Sequence, residues 1–430
     1  MSVAADQVAE RQSIWERVSA AQTETKIAVG GLGVIALHVL DDTFFQPEPG
    51  TSAADHLAAG LIPVAVLVGA AVAYPRLRPG WRALLAISLG LLGIVIGSVE
   101  AVYYGPDQGL SGDDFTGLLA AAGGLVLVLL GIRTAWRSRR LDDSRPRRYA
   151  RRALLGVVFV LGAWFVLFPL GLAYGFTHVA RLKTTDGNLG APYEPVSFRA
   201  HDGLRLDGWF VPSRNGATVI VYPGKRGTQN HARMLVRNGY GALVFDRRGE
   251  GTSEGDPNAL GWGFDQDLLG AFAYLRSRDD VDPDRIGGLG LSVGGEALLE
   301  TAAETDDVKA VVSDGAGWRS VREDTIGLKA KDVPEMVLDA VTTAGMTVFS
   351  DRLPPPNLKT VAGRIEAPVF LIYATHGAAG EDNSPVYRDA LRGPSQLWKI
   401  DTSHTHGLPA RPREYERRVV DFFDRTLLGR

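Results

Sequence analysis

The sequence predicts an all-α transmembrane bundle followed by an α/β domain that has a mainly parallel sheet with helices on both faces. Two observations predict this: the first 180 or so residues are mostly long apolar runs, whereas from about residue 193 short apolar runs alternate with helical stretches. A chain of 430 residues is long for one domain and natural for two. The formal net charge of -3 is too small to favour nucleic-acid binding, and the absence of Cys excludes disulfides, thiolate metal sites and a Cys nucleophile.

Residues 1–25 are predicted to form an amphipathic helix that lies on the membrane surface. The apolar residues Val8, Ile14, Trp15 and Val18 fall along one face of such a helix. The segment is long and mixed in charge, and no small-residue cleavage motif follows the first apolar run. We therefore do not expect a cleaved signal peptide.

Residues 26–180 are predicted to be a membrane domain with about five transmembrane helices. A bilayer core is crossed by roughly 20 apolar helical residues, and four of the five apolar runs have this length. The first run is shorter and stops at Asp41, which also suits an interfacial or re-entrant helix; we favour a span because the run extends through Phe45. The runs are Ile27–Leu40, Leu57–Tyr74, Ala83–Val99, Phe115–Ile132 and Ala153–Phe176.

The charges of the connecting loops predict the orientation of these helices. Loops 75–82 and 133–152 contain twelve Arg and two acidic residues, whereas the other two loops contain seven acidic residues and no Lys or Arg. Because Lys and Arg near span ends favour the cytoplasmic side, we predict a multi-pass plasma-membrane protein whose C-terminal domain lies outside the cytoplasm. The His and acidic residues of loop 38–56 could bind a metal, but no short ligand-spacing motif supports this, so we predict no metal site.

The C-terminal domain, residues 193–430, is predicted to begin with a hairpin that turns at His201-Asp202-Gly203. The continuous apolar runs that follow indicate strands buried on both faces of a parallel sheet. Residues 316–365 break the alternation and are predicted to be a cap-like insertion at the C-terminal edge of the sheet. The predicted strands are Val196–Ala200, Leu204–Val211, Thr218–Tyr222, Ala242–Phe245, Arg285–Leu291, Ala310–Ser313, Val369–Ala374 and Gln396–Ile400.

The segment Gly290-Leu291-Ser292-Val293-Gly294 lies between a predicted strand and a predicted helix, which is the context of a nucleophile elbow. Such a tight turn needs small residues beside the Ser and lifts its hydroxyl clear of the sheet. We therefore predict that Ser292 is a nucleophile and that the Val293 N–H is an oxyanion donor. A second donor is expected from the loop after the third strand, where the Lys225 N–H is the candidate.

With these residues the chain resembles the α/β-hydrolase superfamily over roughly residues 193–428. Pro223-Gly224 stands where the family has His-Gly, and the run from Phe245 to Ser253 is similar to the family's structural Asp-x-Arg-Gly-x-Gly-x-Ser turn. The Gly-Leu-Ser-Val-Gly-Gly-Glu segment looks most like dienelactone-hydrolase-like and acyl-thioesterase-like members, and prolyl-peptidase-like relatives are also similar. The resemblance implies an α/β-hydrolase fold and a Ser-acid-His triad that needs no metal or organic cofactor.

The base of such a triad is expected in the loop after the final strand, because the chain order is Ser, then acid, then His. Two His residues lie in this loop. We prefer His404, which lies closer to the strand and matches the family's position, and His406 is the alternative.

The acid is expected after the strand Val369–Ala374, where Glu381 and Asp382 are adjacent. We prefer Glu381, with Asp382 second, and Asp314 at the end of the preceding strand is a third candidate. The acid would bond the far imidazole nitrogen, fix its tautomer and stabilise the imidazolium.

Together these predictions describe a membrane-anchored serine hydrolase that cleaves an acyl ester of a small molecule through an acyl-Ser292 intermediate. A thioesterase or peptidase, or a non-catalytic binding or sensing module on the same fold, are the alternatives. A transporter is disfavoured because the spans lack paired intramembrane charges. Lys225, Arg226, Arg247 and Arg248 could ring the pocket mouth and favour an anionic substrate. The alternative is that Arg247 and Arg248 are structural partners of Asp246 or are solvated. The lipid bilayer is the other expected partner, and the sequence predicts no oligomeric state.

Overall fold

The computed structural model describes residues 2–99, 101, 112, 114–137, 144–181, 187–224, 228–317, 319, 333–378 and 380–430, with side chains from residue 21 onward. The chain divides into two compact units. The first comprises Met1–Pro47, Ser52–His178 and Ala344–Asp351, and the second comprises Glu48–Thr51, Val179–Thr343 and Arg352–Arg430. This division differs from the predicted domain boundaries at two short segments. Residues 48–51, predicted in the membrane domain, belong to the second unit, and residues 344–351, predicted in the C-terminal domain, belong to the first.

The first unit is an all-α bundle. Its helices are α1 (Ser2–Leu40), α2 (Leu57–Ala73), α3 (Pro79–Ser98), α4 (Asp114–Arg137), α5 (Arg145–Gly162) and α6 (Phe168–Thr177). The first apolar run is thus part of one continuous helix that begins at Ser2 and is extended by a π-helical turn, Asp41–Phe45. Within the described residues, five helical segments are long and apolar enough to cross a membrane: Ala21–Phe45, Ala53–Arg76, Pro79–Ser98, Asp114–Arg137 and Arg145–Thr177.

Helices α3 and α4 pack with their backbones in close contact. A Cβ on Gly97 would lie 2.1 Å from the carbonyl oxygen of Gly117, and a Cβ on Gly90 would lie 2.6 Å from that of Gly124. Larger side chains at Gly97 or Gly90 would therefore push the two helices apart. Small residues at such crossings are typical of helices that associate within a membrane, where close packing replaces the hydrophobic effect as the source of stability.

The segment Ala344–Asp351 is held in the first unit by the N-terminus of α2. The carboxylate of Asp351 accepts hydrogen bonds from the N–H groups of Ala58 and Ala59, both at 2.7 Å. N–H groups in the first turn of a helix have no partner within the helix, and the helix dipole favours a negative charge there. Part of the stretch predicted as a cap-like insertion therefore stabilises the helical bundle.

The second unit is built on an eight-stranded sheet with the order β1-β2-β4-β3-β5-β6-β7-β8. Strands β1, β2 and β4 pair antiparallel, and all pairs from β4 onward are parallel. Each predicted strand is present, with its ends within about three residues of the predicted ones. The strands are β1 (Glu194–Arg199), β2 (Arg205–Val211), β3 (Thr218–Tyr222), β4 (Gly241–Phe245), β5 (Ile286–Leu291), β6 (Ala310–Asp314), β7 (Val369–His376) and β8 (Ser395–Ser403).

Helices cover both faces of the sheet, which explains why its central strands are apolar throughout. Val219 and Val221 of β3 pack in one buried cluster with α7 and α14, whereas Ile220 and Tyr222 pack in another with α8 and α9. The described helices of this part of the chain are α7 (Gln229–Arg237), α8 (Phe264–Arg276), α9 (Val293–Ala302), α10 (Val333–Ser350), α11 (Leu358–Ala362), α12 (Ser384–Ala390), α13 (Gly407–Ala410) and α14 (Pro412–Phe423). The residues of α10 from Ala344 onward belong to the first unit. The predicted fold class, an α/β-hydrolase sheet preceded by a helical bundle, is confirmed.

Candidate active site

Ser292 lies on a tight turn between β5 and α9. Its φ of 52° and ψ of -127° fall in a region that residues other than glycine rarely adopt. The flanking glycines are required by space: a Cβ on Gly290 would lie 2.4 Å from the carbonyl oxygen of Gly294, and a Cβ on Gly294 would lie 2.5 Å from that of Pro223. The N–H of Ser292 donates to the carbonyl oxygen of Asp314 at 2.8 Å and so ties the turn to strand β6.

His404 follows β8 and connects Ser292 to Glu381. Its Nε2 lies 2.9 Å from Oγ of Ser292, and its Nδ1 lies 2.7 Å from Oε2 of Glu381. Because a carboxylate can only accept, Glu381 favours the tautomer that carries the proton on Nδ1. Nε2 is then free to accept from the Ser292 hydroxyl, which is the arrangement in which a Ser passes its proton to an imidazole.

Glu381 follows β7 and is buried, with each of its oxygens held by a backbone N–H. Oε1 accepts from the N–H of Ala374 at 2.6 Å, and Oε2 accepts from the N–H of Ala378 at 2.8 Å. Burial would raise the pKa of Glu381, but the hydrogen bonds from His404 and from these N–H groups outweigh burial and hold the pKa below its usual value. Glu381 is therefore an anion that faces His404 at neutral pH.

The two neighbouring alternatives, Asp382 and His406, make no side-chain contact with this chain of hydrogen bonds among the contacts described. Asp382 is exposed. His406 is also exposed, and its Nδ1 lies 2.9 Å from the backbone carbonyl oxygen of His404. The structure thus brings Ser292, His404 and Glu381 together, and it does not bring Asp382 or His406 into the same set.

Asp314 is buried at the end of β6 and hydrogen-bonds a residue that the sequence analysis did not single out. The hydroxyl of Tyr415, in α14, donates to Oδ2 of Asp314 at 2.8 Å. Burial is the main cause that raises the pKa of Asp314 to about 7; the Tyr415 hydrogen bond opposes the rise, and the charge of Glu381 adds to it. Tyr415 carries no local motif, so nothing in the sequence pointed to this pair.

Of the two predicted oxyanion donors, the structure describes Val293, which directly follows Ser292. Val293 is the first residue of α9, so its N–H belongs to the helical turn whose N–H groups lack partners within the helix. Gly224, after β3, borders the elbow, because a Cβ on Gly224 would lie 2.9 Å from Cβ of Ser292. The loop expected to supply the second donor therefore begins next to the Ser, while Lys225 itself lies outside the described residues.

Within the described part of the chain, one group of acidic side chains brings three oxygens within 4.8 Å of one another: Asp265, Glu300 and Glu304. Glu300 is buried and forms an ion pair with the buried Arg319. Burial is the main cause that raises the pKa of both Glu300 and Glu304. The ion pair accounts for the buried acid, and we assign no metal to this group.

The second unit is similar to known proteins in sequence. Residues 185–365 match the X-Pro dipeptidyl-peptidase (S15) family, a stretch that includes Ser292 and ends before Glu381 and His404. Protein YfhR of Salmonella typhi is 27% identical over 265 residues, which cover 56% of this chain and 85% of YfhR. The alpha/beta hydrolase domain-containing protein WAV2 of Arabidopsis thaliana is 31% identical over 137 residues, which cover 30% of this chain and 44% of WAV2.

Among solved structures, the chain aligns with the esterase Pf2001 of Pyrococcus furiosus. The two are 23% identical, with a TM-score of 0.47, and the alignment covers 58% of this chain and 98% of the esterase.

Proposed function

The second unit belongs to the α/β-hydrolase superfamily, and from this premise we propose that the protein is a membrane-anchored serine hydrolase that cleaves an acyl ester through an acyl-Ser292 intermediate. The observation that carries the proposal is the hydrogen-bonded chain from Ser292 through His404 to the buried Glu381. A nucleophile within reach of a base, which is itself oriented by an acid, is the arrangement that activates a hydroxyl at neutral pH.

In the acylation step the Ser292 hydroxyl donates its proton to Nε2 of His404 while Oγ attacks the carbonyl carbon of the ester. Glu381 stabilises the imidazolium that forms. The Val293 N–H, together with a second N–H for which Lys225 is the candidate, stabilises the oxyanion of the tetrahedral intermediate. When the intermediate collapses, Nε2 returns the proton to the departing alcohol and the acyl group stays on Ser292.

In the deacylation step water takes the place of the alcohol. Its proton passes to Nε2 of His404 as its oxygen attacks the acyl carbonyl, and the proton then passes to Oγ as the bond to Ser292 breaks. The products are a carboxylic acid and the free enzyme. This chain's own groups are sufficient for every proton transfer.

Peptide hydrolysis is the second candidate function, because the family matched by residues 185–365 is one of dipeptidyl-peptidases. The same triad would cleave an amide by the same two steps, and the nature of the leaving group decides between the two functions. Comparing 4-nitrophenyl butyrate with an X-Pro 4-nitroanilide separates them, because each substrate releases a coloured product. We expect the ester to be turned over with the larger kcat/KM; a larger value for the anilide would favour the peptidase.

The decisive test of the catalytic proposal is labelling with a fluorophosphonate probe, which forms a bond only with an activated serine. We expect the wild-type protein to be labelled and Ser292→Ala to be unlabelled. Ester turnover should fall by several orders of magnitude in Ser292→Ala without a change in melting temperature. Equal labelling of the two proteins, or turnover close to wild type in Ser292→Ala, would refute Ser292 as the nucleophile, whereas the absence of labelling and turnover in wild type would support the non-catalytic alternative.

We further propose that the protein crosses the plasma membrane five times and holds its hydrolase unit outside the cytoplasm. The Arg-rich loops 75–82 and 133–152 support this orientation. A second argument comes from Glu48–Thr51, which lies in the acidic loop after the first candidate span and belongs to the second unit. Within that unit Arg181 bonds Glu48 at 2.6 Å, and the N–H of Gly255 donates to the carbonyl oxygen of Pro49 at 2.8 Å.

A further inference from the structure

Two consecutive buried arginines follow β4, and they differ in how their hydrogen bonds are satisfied. Nε of Arg248 donates to Asp267 at 2.8 Å, and its two terminal nitrogens donate to Asp202 at 2.8 and 3.2 Å. All three nitrogens of Arg248 therefore have carboxylate partners. This side chain is a structural element that fastens the turn after β4 to α8 and to the β1–β2 hairpin.

Arg247, by contrast, has two nitrogens without a hydrogen-bond acceptor among the described residues. Its Nη2 forms an ion pair with Glu250, while Nε and Nη1 are buried and have no hydrogen-bond partner among the residues that the structure describes. The side chain is 5% exposed, so bulk water does not satisfy these donors. A buried donor without an acceptor costs free energy and calls for an explanation, such as a ligand that supplies the acceptor.

The position of Arg247 places it beside the candidate active site. Its guanidinium lies over the ring of Phe264, 4.8 Å from the ring centroid. That ring and the side chain of Val293 border the same point, because a Cβ on Gly261 would lie 3.1 Å from Cδ2 of Phe264 and 3.3 Å from Cβ of Val293. One aromatic side chain therefore separates Arg247 from the residue whose N–H is the proposed oxyanion donor.

The guanidinium keeps its charge in this setting. Burial alone would lower the pKa of Arg247, but the hydrogen bond and charge of Glu250 outweigh burial and raise the pKa above its ordinary value. Glu250 already balances the single positive charge of Arg247, so a further anion is held mainly by hydrogen bonds from Nε and Nη1. A singly charged carboxylate suits these donors better than a doubly charged phosphate, because it adds less negative charge beside Glu250.

We propose that Arg247 binds a carboxylate carried by the substrate, so that the preferred substrates of this enzyme are anionic carboxylate-bearing esters. The inference rests on the proposed function, because it concerns the substrate of the same site. A charge-assisted hydrogen bond from a buried guanidinium contributes enough to discriminate roughly 10- to 100-fold between an anionic ester and its neutral counterpart.

The test compares each of two anionic esters with its own methyl ester, so that charge is the main difference. One pair carries the carboxylate on the acyl part: 4-nitrophenyl hemisuccinate and 4-nitrophenyl methyl succinate. The other pair carries it on the alcohol part: 4-acetoxybenzoate and methyl 4-acetoxybenzoate. We expect wild-type full-length protein to favour the anionic member in at least one pair, measured as the ratio of the two kcat/KM values.

In Arg247→Met this ratio should fall roughly 10- to 100-fold, whereas Arg247→Lys should retain part of it. Arg278→Met is the matched control. Arg278 also lies over a phenylalanine, with Cζ 4.1 Å from the ring centroid of Phe210, but its nitrogens already bond Asp280 and the hydroxyl of Tyr274. Its substitution should leave the ratio unchanged.

The proposal is overturned if wild-type protein favours the methyl ester in both pairs, a result that needs no variant to be folded. It is also overturned if Arg247→Met loses activity toward the anionic and neutral esters by the same factor. Failure of the proposed function is a different result: Ser292→Ala would then hydrolyse the esters as fast as wild type, whatever the ratio between them.

Discussion

Replacing Glu381 by Gln exchanges a carboxylate that accepts three hydrogen bonds for an amide of nearly the same shape. Oε1 of Glu381 accepts from Ala374, and Oε2 accepts from Ala378 and from Nδ1 of His404. The amide of Gln has one oxygen that accepts and one NH2 group that only donates. Whichever way the amide turns, its NH2 group meets a donor that the carboxylate satisfied.

The two orientations of the amide have different consequences. If the oxygen faces Ala374, the NH2 group faces His404, which must then carry its proton on Nε2 and can no longer accept from Ser292. The analogous change in the Ser-His-Asp template lowers turnover by about 10⁴-fold. If the oxygen faces His404, the tautomer is kept, but the N–H of Ala374 is left unpaired at a cost of about 1–3 kcal/mol in stability. We therefore expect kcat to fall by roughly 10²- to 10⁴-fold.

The assay is steady-state hydrolysis of a 4-nitrophenyl ester, with thermal unfolding measured on the same samples. Asp314→Asn is the matched control, because Asp314 is a buried acid close to the same site whose hydrogen bond is to Tyr415. It should keep turnover within about tenfold of wild type, since an amide oxygen can still accept from Tyr415. The reasoning is refuted if Glu381→Gln is mild and Asp314→Asn is severe, because the acid would then be Asp314.

Three further predictions concern the base, the pH dependence of stability and the topology. His404→Ala should reduce turnover to the level of Ser292→Ala while His406→Ala retains most activity; the reverse pattern would make His406 the base. The raised pKa of Asp314, about 7 in the folded state, means that stability is lost as pH rises from about 4 to 7. Relative to Asp314→Asn, wild type should therefore lose on the order of 4 kcal/mol of unfolding free energy over that range, and an unchanged difference in chemical-denaturation curves would contradict this. A reporter active only outside the cytoplasm should be active when fused after Arg430 and silent when fused after Ser144. The opposite result would show that the orientation is the reverse of the proposed one.

How far the sequence predicts the site differs from one residue to the next. Ser292 can be identified locally, because the strand, the spaced glycines and the helix that form its turn are neighbours in the chain. The base is a choice between His404 and His406, and the acid is a choice between Glu381 and Asp382. In each case the two candidates are only one or two positions apart. The sequence ranks them only by their distance from a strand or by resemblance, whereas the side that each one faces depends on backbone N–H groups elsewhere in the fold.

The parts of the fold that the sequence does not predict depend on contacts between residues far apart in the chain. The ends of the strands can be predicted from the sequence, because an apolar run stops where the strand ceases to be buried. The membership of 344–351 in the helical bundle depends on hydrogen bonds from Ala58 and Ala59 to Asp351, partners separated by about 290 positions. Local composition carries no information about such pairs, so the predicted boundaries differ from the observed ones at these segments.

The backbone at Ser292 connects the chemistry of the site to the stability of the protein. A residue with a side chain costs about 1–3 kcal/mol in a sparsely populated backbone region, and glycine adopts a φ of 52° without that cost. Ser292→Gly should therefore give a protein that is more stable and inert. Selection for stability and selection for reactivity act in opposite directions at this one position. In a lineage that no longer needed the reaction, we would expect the serine to be lost early, while the surrounding glycines, which the fold itself requires, persisted.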